Sequence, residues 1–265
     1  MQLIIPAFNE EARLPHTLTA LRAHVLAAQE TGGALEVIVV DNASRDRTAV
    51  VAASFDSPVM PVRVVRCDEP GKGAAVRAGI AATTSDLVAF MDADGATDLD
   101  ALQTAAELVA GGADVAIGSR AVEGSVTMER HSRVRTAGAT LYRRLTWRLV
   151  PGIFDTQCGF KVLRGPLARE VFGATRTAGF SFDVEVLARA QRAGVRIVEF
   201  PVIWIDVPGS TFVPARHGMS SFAELAAIAL RLRRVDRLAR VDRLARVDRL
   251  PVEPAAAVLS PAAEF

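Results

Sequence analysis

Short apolar runs alternate with segments of helical periodicity through the first half of the chain. Leu3-Ile4-Ile5 predicts a short buried strand, and Glu10 to Gln29 carries apolar residues at helical spacing. Leu35 to Val40 is a β-branched run ending at Asp41, followed by a helical segment from Thr48 to Phe55 and a strand from Val62 to Arg66. Gly73 to Thr83 predicts a small-residue helix, Leu87 to Met91 a buried strand ending at Asp92, Leu99 to Val109 a helix and Asp114 to Gly118 a strand. The order predicts an α/β fold, with a mostly parallel central sheet and helices on both faces. Ligands of such sheets bind beyond the carboxyl ends of the strands. The residues to read for chemistry are therefore Asn9, Glu10, Asp41, Asp92, Asp94 and Arg120.

The second half is less regular. Ser132 to Leu149 predicts a basic amphipathic helix carrying Tyr142 and Trp147, and Phe154 to Val162 a loop with a short strand. Phe182 to Ala193 predicts a helix, Arg196 to Ile205 a strand broken at Pro201, and Phe222 to Leu232 a C-terminal helix. Val235-Asp-Arg-Leu-Ala-Arg then repeats at Val241 and in part at Val247, a period of six that excludes a coiled coil. Arg231 to Leu250 holds eight Arg and three Asp, a local charge of +5 (8 − 3) in a chain of net +1. The segment reads either as a solvated helix or as an interfacial helix drawn to anionic lipid. The expected organisation is a catalytic domain over 1–232, an Arg-rich repeat helix over 233–250 and a Pro/Ala-rich disordered tail over 251–265.

Composition narrows the classes. With 265 residues, half of them hydrophobic, the chain can bury one sizeable core, and a net charge of +1 predicts no nucleic-acid partner. Cys67 and Cys158 lack metal-ligand spacing and read as free thiols of a reducing compartment. No secretory leader precedes Leu3 and no apolar run is long enough to span a bilayer, so the expected location is cytoplasmic, with contact at most peripheral at the inner face of the cell membrane. Arg is so favoured that only Lys72 and Lys161 remain as lysines, which marks both as sites where a compact ammonium is wanted.

The strongest chemical signal is Phe90-Met91-Asp92-Ala93-Asp94-Gly95. Carboxylates at i and i+2 leave an extended strand on one side and can face one cation. Their hard oxygens suit Mg²⁺ or Mn²⁺, ions that also take phosphate oxygens. Asp41 ends a neighbouring strand, where a carboxylate can accept hydrogen bonds from a base or ribose. Pro6-Ala-Phe-Asn-Glu-Glu makes a third turn on the same edge, and Gly71-Lys72-Gly73 opens a helix with Lys72 available to phosphate.

These motifs, with Gly118-Ser-Arg120, occur in an order that resembles the family 2 glycosyltransferases of the GT-A fold. Asp155-Thr-Gln-Cys-Gly-Phe-Lys161, Phe182-Asp183-Val-Glu185, Pro201-Val-Ile-Trp204 and Pro208-Gly-Ser210 narrow the resemblance to dolichyl-phosphate (polyprenyl-phosphate) β-glucosyltransferases, over roughly residues 2–232. The resemblance implies that Pro6, Phe8, Glu10, Asp41, Lys72, Asp92, Ala93 and Asp94 hold the nucleotide-sugar donor. Asp92 and Asp94 would be the metal ligands, and Arg120, Gln157, Lys161 and Ser210 would lie on the acceptor side. Phe8 stands where the family usually has Tyr, and Thr211 where it usually has Lys after Gly-Ser, a place that Arg216 could fill.

The implied reaction is an inverting, metal-dependent transfer of a sugar, glucose favoured, from a nucleotide sugar, UDP-glucose favoured, to a polyprenyl phosphate. Asp183, Asp94, Arg120 and Lys161 are the expected catalytic set, with Asp183, Glu185 and Asp155 available as a base for a hydroxyl acceptor. For Asp183 the plainer reading is a helix-start residue favoured by the dipole. Two alternatives stay open, transfer to a soluble small-molecule acceptor and a non-catalytic nucleotide-sugar-binding protein. The sequence fixes neither the oligomeric state nor the choice between Mg²⁺ and Mn²⁺.

Overall fold

A computed structural model describes residues 1–27, 34–128, 133–205, 207 and 214–247. Contacts divide the chain into two compact units, Met1–Ile228 and Ala229–Phe265. The first unit is built on a seven-stranded sheet of β1 (Gln2–Ala7), β2 (Glu36–Asp41), β3 (Val62–Arg66), β4 (Leu87–Phe90), β5 (Val115–Ser119), β7 (Lys161–Arg164) and β8 (Ile197–Pro201), in the order β3-β2-β1-β4-β7-β5-β8. All pairings are parallel except those of β7, which runs antiparallel between β4 and β5. The chain reverses its direction of travel across the sheet between β1 and β4, the place where such sheets open a crevice for ligands.

Alternation along the strands assigns their faces. Leu3, Ile5, Val37, Val39 and Ala89 join one buried cluster with Leu14, Leu18 and Leu21 of α1 (Leu14–Ala27) and Leu102, Ala105 and Val109 of α4 (Asp100–Ala110). On the other face Phe90 packs against Phe172 of α6 (Gly165–Ala174) and Phe182 of α7 (Phe182–Arg192), with ring centroids 6.0 and 5.9 Å apart. That face also carries α3 (Lys72–Ala81), which lies so close to the sheet that a Cβ on Gly79 would stand 2.5 Å from Ile4 Cγ2 and 2.8 Å from Val40 Cγ2. Small residues in this segment are therefore a packing requirement, and α2 (Thr48–Ala53) completes the first half.

Several boundaries differ from the expected ones for identifiable reasons. The first helix starts at Leu14, not Glu10, because the preceding turn is tied across to the next loop: Glu10 N–H donates to Thr48 Oγ1 at 2.8 Å and Glu11 N–H to Asp46 Oδ2 at 3.2 Å. A helix expected nowhere, α6, begins on Gly165-Pro166, where proline suits a first helical turn. The break at Pro201 separates β8 from β9 (Ile203–Ile205), which pairs in parallel with β6 (Val126–Met128), a strand too short to read in the sequence. The basic helix α5 covers Arg133–Leu149, and Arg143, Arg144 and Arg148 on it are exposed.

The last helix, α8, runs without a break over Pro214–Val247, through the expected domain boundary at 232 and into the hexapeptide repeat. Arg233, Arg234, Asp236 and Arg237 on it are exposed. The expected tail over 251–265 lies outside the described residues. Among the described residues no helix is long and apolar enough to cross a membrane.

The close seat of α3 yields a stability test. Gly79→Ala should cost about 1–3 kcal/mol, because the added methyl meets two buried side chains of the sheet. Urea unfolding followed by circular dichroism measures it; an unchanged midpoint would contradict the packing described for α3.

Candidate active site

The carboxyl ends of β1, β2 and β3 carry three turns locked to one another. After β1, Asn9 adopts a positive φ of 55°, and after β2 Ala43 does the same at 58°, conformations that non-glycine residues rarely take. Asn9 N–H donates to Ser44 Oγ at 3.0 Å and Arg45 N–H returns to Asn9 Oδ1 at 2.8 Å, so each turn stabilises the other. Asp41 is buried and accepts the Ser44 N–H at 3.1 Å. Asn42 reaches the third turn: its amide donates to the carbonyls of Cys67 and Glu69, and its Oδ1 accepts the Gly71 N–H at 2.8 Å. Pro6 is half-buried at the end of β1, whereas the Phe8 ring is 45% exposed and free to stack.

Asp92 and Asp94 follow β4. Thr17 of α1 donates to the Ala93 carbonyl at 2.7 Å, and Asp94 Oδ1 accepts the Ala96 N–H at 3.1 Å, which fixes the intervening backbone. Lys72 Nζ lies 2.5 Å from Asp92 Oδ1. Glu10, almost fully buried, is paired with Arg13. The acids affect each other. Burial and then the Asp92 charge raise the Asp94 pKa, and burial raises Glu10 with Asp94 and Asp92 adding to it, against the opposing pull of Arg13. Burial alone would lower the Lys72 ammonium, but Asp92 and Asp183 outweigh it and hold it raised.

A divalent cation fits this donor set. Two hard carboxylates stand together, partly open, in a region whose negative charges already repel one another. Among the described residues no group of three His, Cys, Asp or Glu ligands comes together, so the pair would leave coordination positions for phosphate oxygens.

The segment after α5 supplies the second wall. Asp155 takes a bidentate pair from Arg120, Nε to Oδ2 at 2.7 Å and an Nη to Oδ1 at 3.0 Å, and also accepts the Arg120 N–H. Burial would raise the Asp155 pKa, but the Arg120 guanidinium outweighs it and holds it low. The same guanidinium lies over the Trp204 ring at 5.3 Å. Glu199 accepts the N–H groups of Phe154 and Asp155, at 2.8 and 2.9 Å, and so anchors this segment to β8. Gln157 follows, with its Nε2 buried and, among the described residues, without a hydrogen-bond partner. Gly159 comes next: a Cβ there would collide with the Asp92 carboxylate, so glycine is what lets the segment close on the acidic pair.

Lys161 and Asp183 lie deeper than expected. Lys161 Nζ donates to Asp183 Oδ1 at 2.6 Å and to the Cys158 carbonyl at 2.7 Å, and sits 5.2 Å from the centre of the Phe90 ring. Their side chains are 0% and 3% exposed. Burial raises the Asp183 pKa against the opposing pull of Lys161 and Lys72. Glu185 is also buried, with the N–H groups of Arg176 and Thr177, the Thr177 hydroxyl and the Arg189 guanidinium bonded to it, which makes it a structural hub. The Cys158 thiol is pushed up to about 11 by burial and is no nucleophile at neutral pH.

The residues expected on the donor side, Pro6, Phe8, Glu10, Asp41, Lys72, Asp92, Ala93 and Asp94, lie at one edge, joined there by Arg120 and Gln157 through the wall that Gly159 brings against Asp92. Ser210 and Thr211 lie outside the described residues, as does the side chain of Arg216. Sequence reading did not single out Arg13, Thr17, Asn42, Gly159 or Glu199. Polar residues within a few positions of an expected motif were the available signal for the first three.

Comparison with known proteins identifies the family and the fold. The family described as Glycosyl transferase family 2 matches residues 2–172. The dolichyl-phosphate beta-glucosyltransferase of Homo sapiens is 32% identical over 249 residues, covering 87% of this chain and 75% of the relative. That of Drosophila melanogaster is 36% identical over 228 residues, covering 81% and 69%. Among solved structures, glucosyl-3-phosphoglycerate synthase from Mycobacterium tuberculosis in complex with UDP shares the fold at a TM-score of 0.61 and 20% identity, over 86% of this chain and 79% of that one. The same enzyme with Mn²⁺, UDP and glucosyl-3-phosphoglycerate aligns with a TM-score of 0.61 at 19% identity, over 86% and 78%. The fold is therefore GT-A, and the chain belongs to glycosyl transferase family 2 as a glycosyltransferase related to the dolichyl-phosphate β-glucosyltransferases.

Proposed function

We propose that this glycosyltransferase moves a hexose, glucose in the first instance, from a UDP-sugar to a polyprenyl phosphate, with inversion and with a bound divalent cation. The observation that carries the reading is the Asp92–Asp94 pair, with Lys72 on one side and the Arg120–Asp155 wall on the other. Such a site can neutralise a nucleoside diphosphate as it leaves and present a second cationic group to an anionic acceptor. The names of the relatives support the donor sugar and the lipid acceptor.

Each residue has a physical task in this reading. The exposed Phe8 ring stacks on the base while Asp41 accepts from the nucleoside. Asp92 and Asp94 hold the cation, which when bound supplies positive charge against the leaving diphosphate. Lys72 adds an ammonium to the same diphosphate. Arg120, held in place by Asp155 and by the face of Trp204, presents the positive charge of its guanidinium to the acceptor phosphate. The buried Gln157 amide, whose Nε2 has no hydrogen-bond partner among the described residues, donates to an oxygen of the sugar or the acceptor. A phosphate acceptor is already anionic at neutral pH, so the displacement needs no side chain as base.

Asp183 and Lys161 then act from behind. Rather than touching substrate, the buried pair sets the field in which Lys72 and Asp92 sit. Asp183→Asn should cost about 3–5 kcal/mol in urea unfolding, because it leaves the Lys161 ammonium uncompensated. The double variant Lys161→Met/Asp183→Leu should recover most of that loss and keep measurable transfer. A double variant that folds yet shows no transfer would return Asp183 to the role of base.

The acidic pair gives a sharper test. Asp92→Ala and Asp94→Ala should each lower transfer at least about 100-fold, roughly 3 kcal/mol, with the far-ultraviolet spectrum unchanged. Full activity in either variant would remove the metal site.

Transfer itself is read with UDP-glucose, Mg²⁺ or Mn²⁺ and a short polyprenyl phosphate, following UDP release and label entering the organic phase. Labelled lipid that disappears with chelator is the expected result. UDP release without lipid product would move the acceptor to a soluble molecule, and silence with both UDP-glucose and GDP-mannose would overturn the donor reading.

A further inference from the structure

Lys72 is flanked by two glycines, and both are pressed against one loop far away in sequence. A Cβ on Gly71, whose φ is +123°, would run into the Ala178 carbonyl. One on Gly73 would stand 2.5 Å from Phe182 Cβ, 2.6 Å from Thr177 O and 3.0 Å from Gly179 O. The Ala74 N–H donates to Ala178 O at 3.1 Å. The turn bearing Lys72 is thus seated on residues 177–181, and its position follows theirs.

That loop is held in turn from its other side. Glu224, on the first part of α8, accepts the Ser181 N–H at Oε2 with a distance of 2.9 Å. The carboxylate reaches the loop because residue 179 is glycine: a Cβ there would stand 2.7 Å from Glu224 Cδ and collide with Oε1. Ser181 Oγ donates to the Ser221 carbonyl at 3.2 Å and accepts from Tyr142 Oη at 3.0 Å, while the Tyr142 ring packs on Phe222 at 5.8 Å. Glu185 fixes the start of the loop from within α7. The loop is therefore clamped between the Lys72 turn and α8.

We infer that Glu224 is a positioning residue for Lys72, acting through the loop 177–181 so that the seating of α8 sets where the ammonium stands beside Asp92. The inference rests on the reading of Lys72 as a donor-diphosphate group only for its functional consequence. Its structural content stands apart from that reading. A Glu224 that merely capped the start of α7 would affect stability without moving a lysine on the far side of the loop.

The chain has only two lysines, Lys72 and Lys161, so a protein labelled with [ε-¹³C]lysine shows two side-chain signals, assigned with Lys72→Arg. Glu224→Ala should displace the Lys72 signal and leave that of the buried Lys161 in place, and Gly179→Ala, which strikes the same contact from the loop, should do the same. Glu224→Gln keeps a carbonyl acceptor for Ser181 and should restore the native signal. The KM for UDP-glucose should rise about tenfold in Glu224→Ala, with no further rise when the change is made in Lys72→Ala, since coupled residues are not additive. An unmoved Lys72 signal in folded Glu224→Ala and Gly179→Ala overturns the inference. A displaced signal with an unchanged KM in every variant upholds the positioning and removes Lys72 from donor binding.

Discussion

Negative charge is concentrated where β1 and β4 end, and the organisation of the site follows from the need to compensate it. The Asp92 charge helps to raise the Asp94 pKa, and Asp94 and Asp92 both help to raise that of Glu10. Carboxylates so placed are costly together unless cations or hydrogen bonds offset them. The chain offsets each by a different route: Arg13 on Glu10, Lys72 on Asp92 and the Ala96 N–H on Asp94. Asp94 and Glu10 nevertheless remain raised, chiefly by burial, with the neighbouring carboxylates adding to it.

The buried Lys161–Asp183 pair carries the same logic into the core. Two charges removed from water are stabilised only by good geometry and by further hydrogen bonds. Here the ammonium has Asp183, the Cys158 carbonyl and the face of Phe90, on a floor where Phe90, Phe172 and Phe182 pack together. The pair joins β7 to α7. It therefore fixes the strand that follows Gly159 relative to the helix that follows the loop 177–181. Both walls around Asp92 are registered on a single buried contact.

The first half of the fold was legible because its strands are compact apolar runs with polar residues at or just beyond their ends. β3 over Val62–Arg66 and β2 ending at Asp41 follow directly from that pattern. The Asp92–Asp94 pair was legible for the same reason, as two charges at alternate positions immediately after a buried strand. What escaped was decided by tertiary contact. The antiparallel course of the strand Lys161–Arg164 is set by its pairing with β4 on one side and β5 on the other, which no local pattern encodes. Gly159 carries no local turn requirement; its reason is a carboxylate 67 positions earlier in the chain (159 − 92). Lys161 was singled out by its rarity, yet rarity does not distinguish a substrate contact from a buried ion pair. Burial does, and burial depends on the aromatic floor assembled from three separate segments.

The glycines at 71, 73, 159 and 179 make one pattern when taken together. Each is a point where backbone from the second half of the chain approaches backbone or carboxylate of another segment more closely than a side chain permits. Gly159 meets Asp92, Gly71 and Gly73 meet the loop before α7, and Gly179 meets Glu224. The contacts form a series from the acidic pair, through the Lys72 turn and the loop, to α8. Long side chains at such contacts would pay in rotamer entropy and leave room for adjustment. Bare backbone does neither, so displacement at one member must be taken up by the next. Of the two lysines, Lys161 is committed to the buried pair with Asp183, which leaves Lys72 as the one beside Asp92. The ammonium on Lys72 sits on a long flexible stem, and its precision has to come from how rigidly the turn beneath it is held.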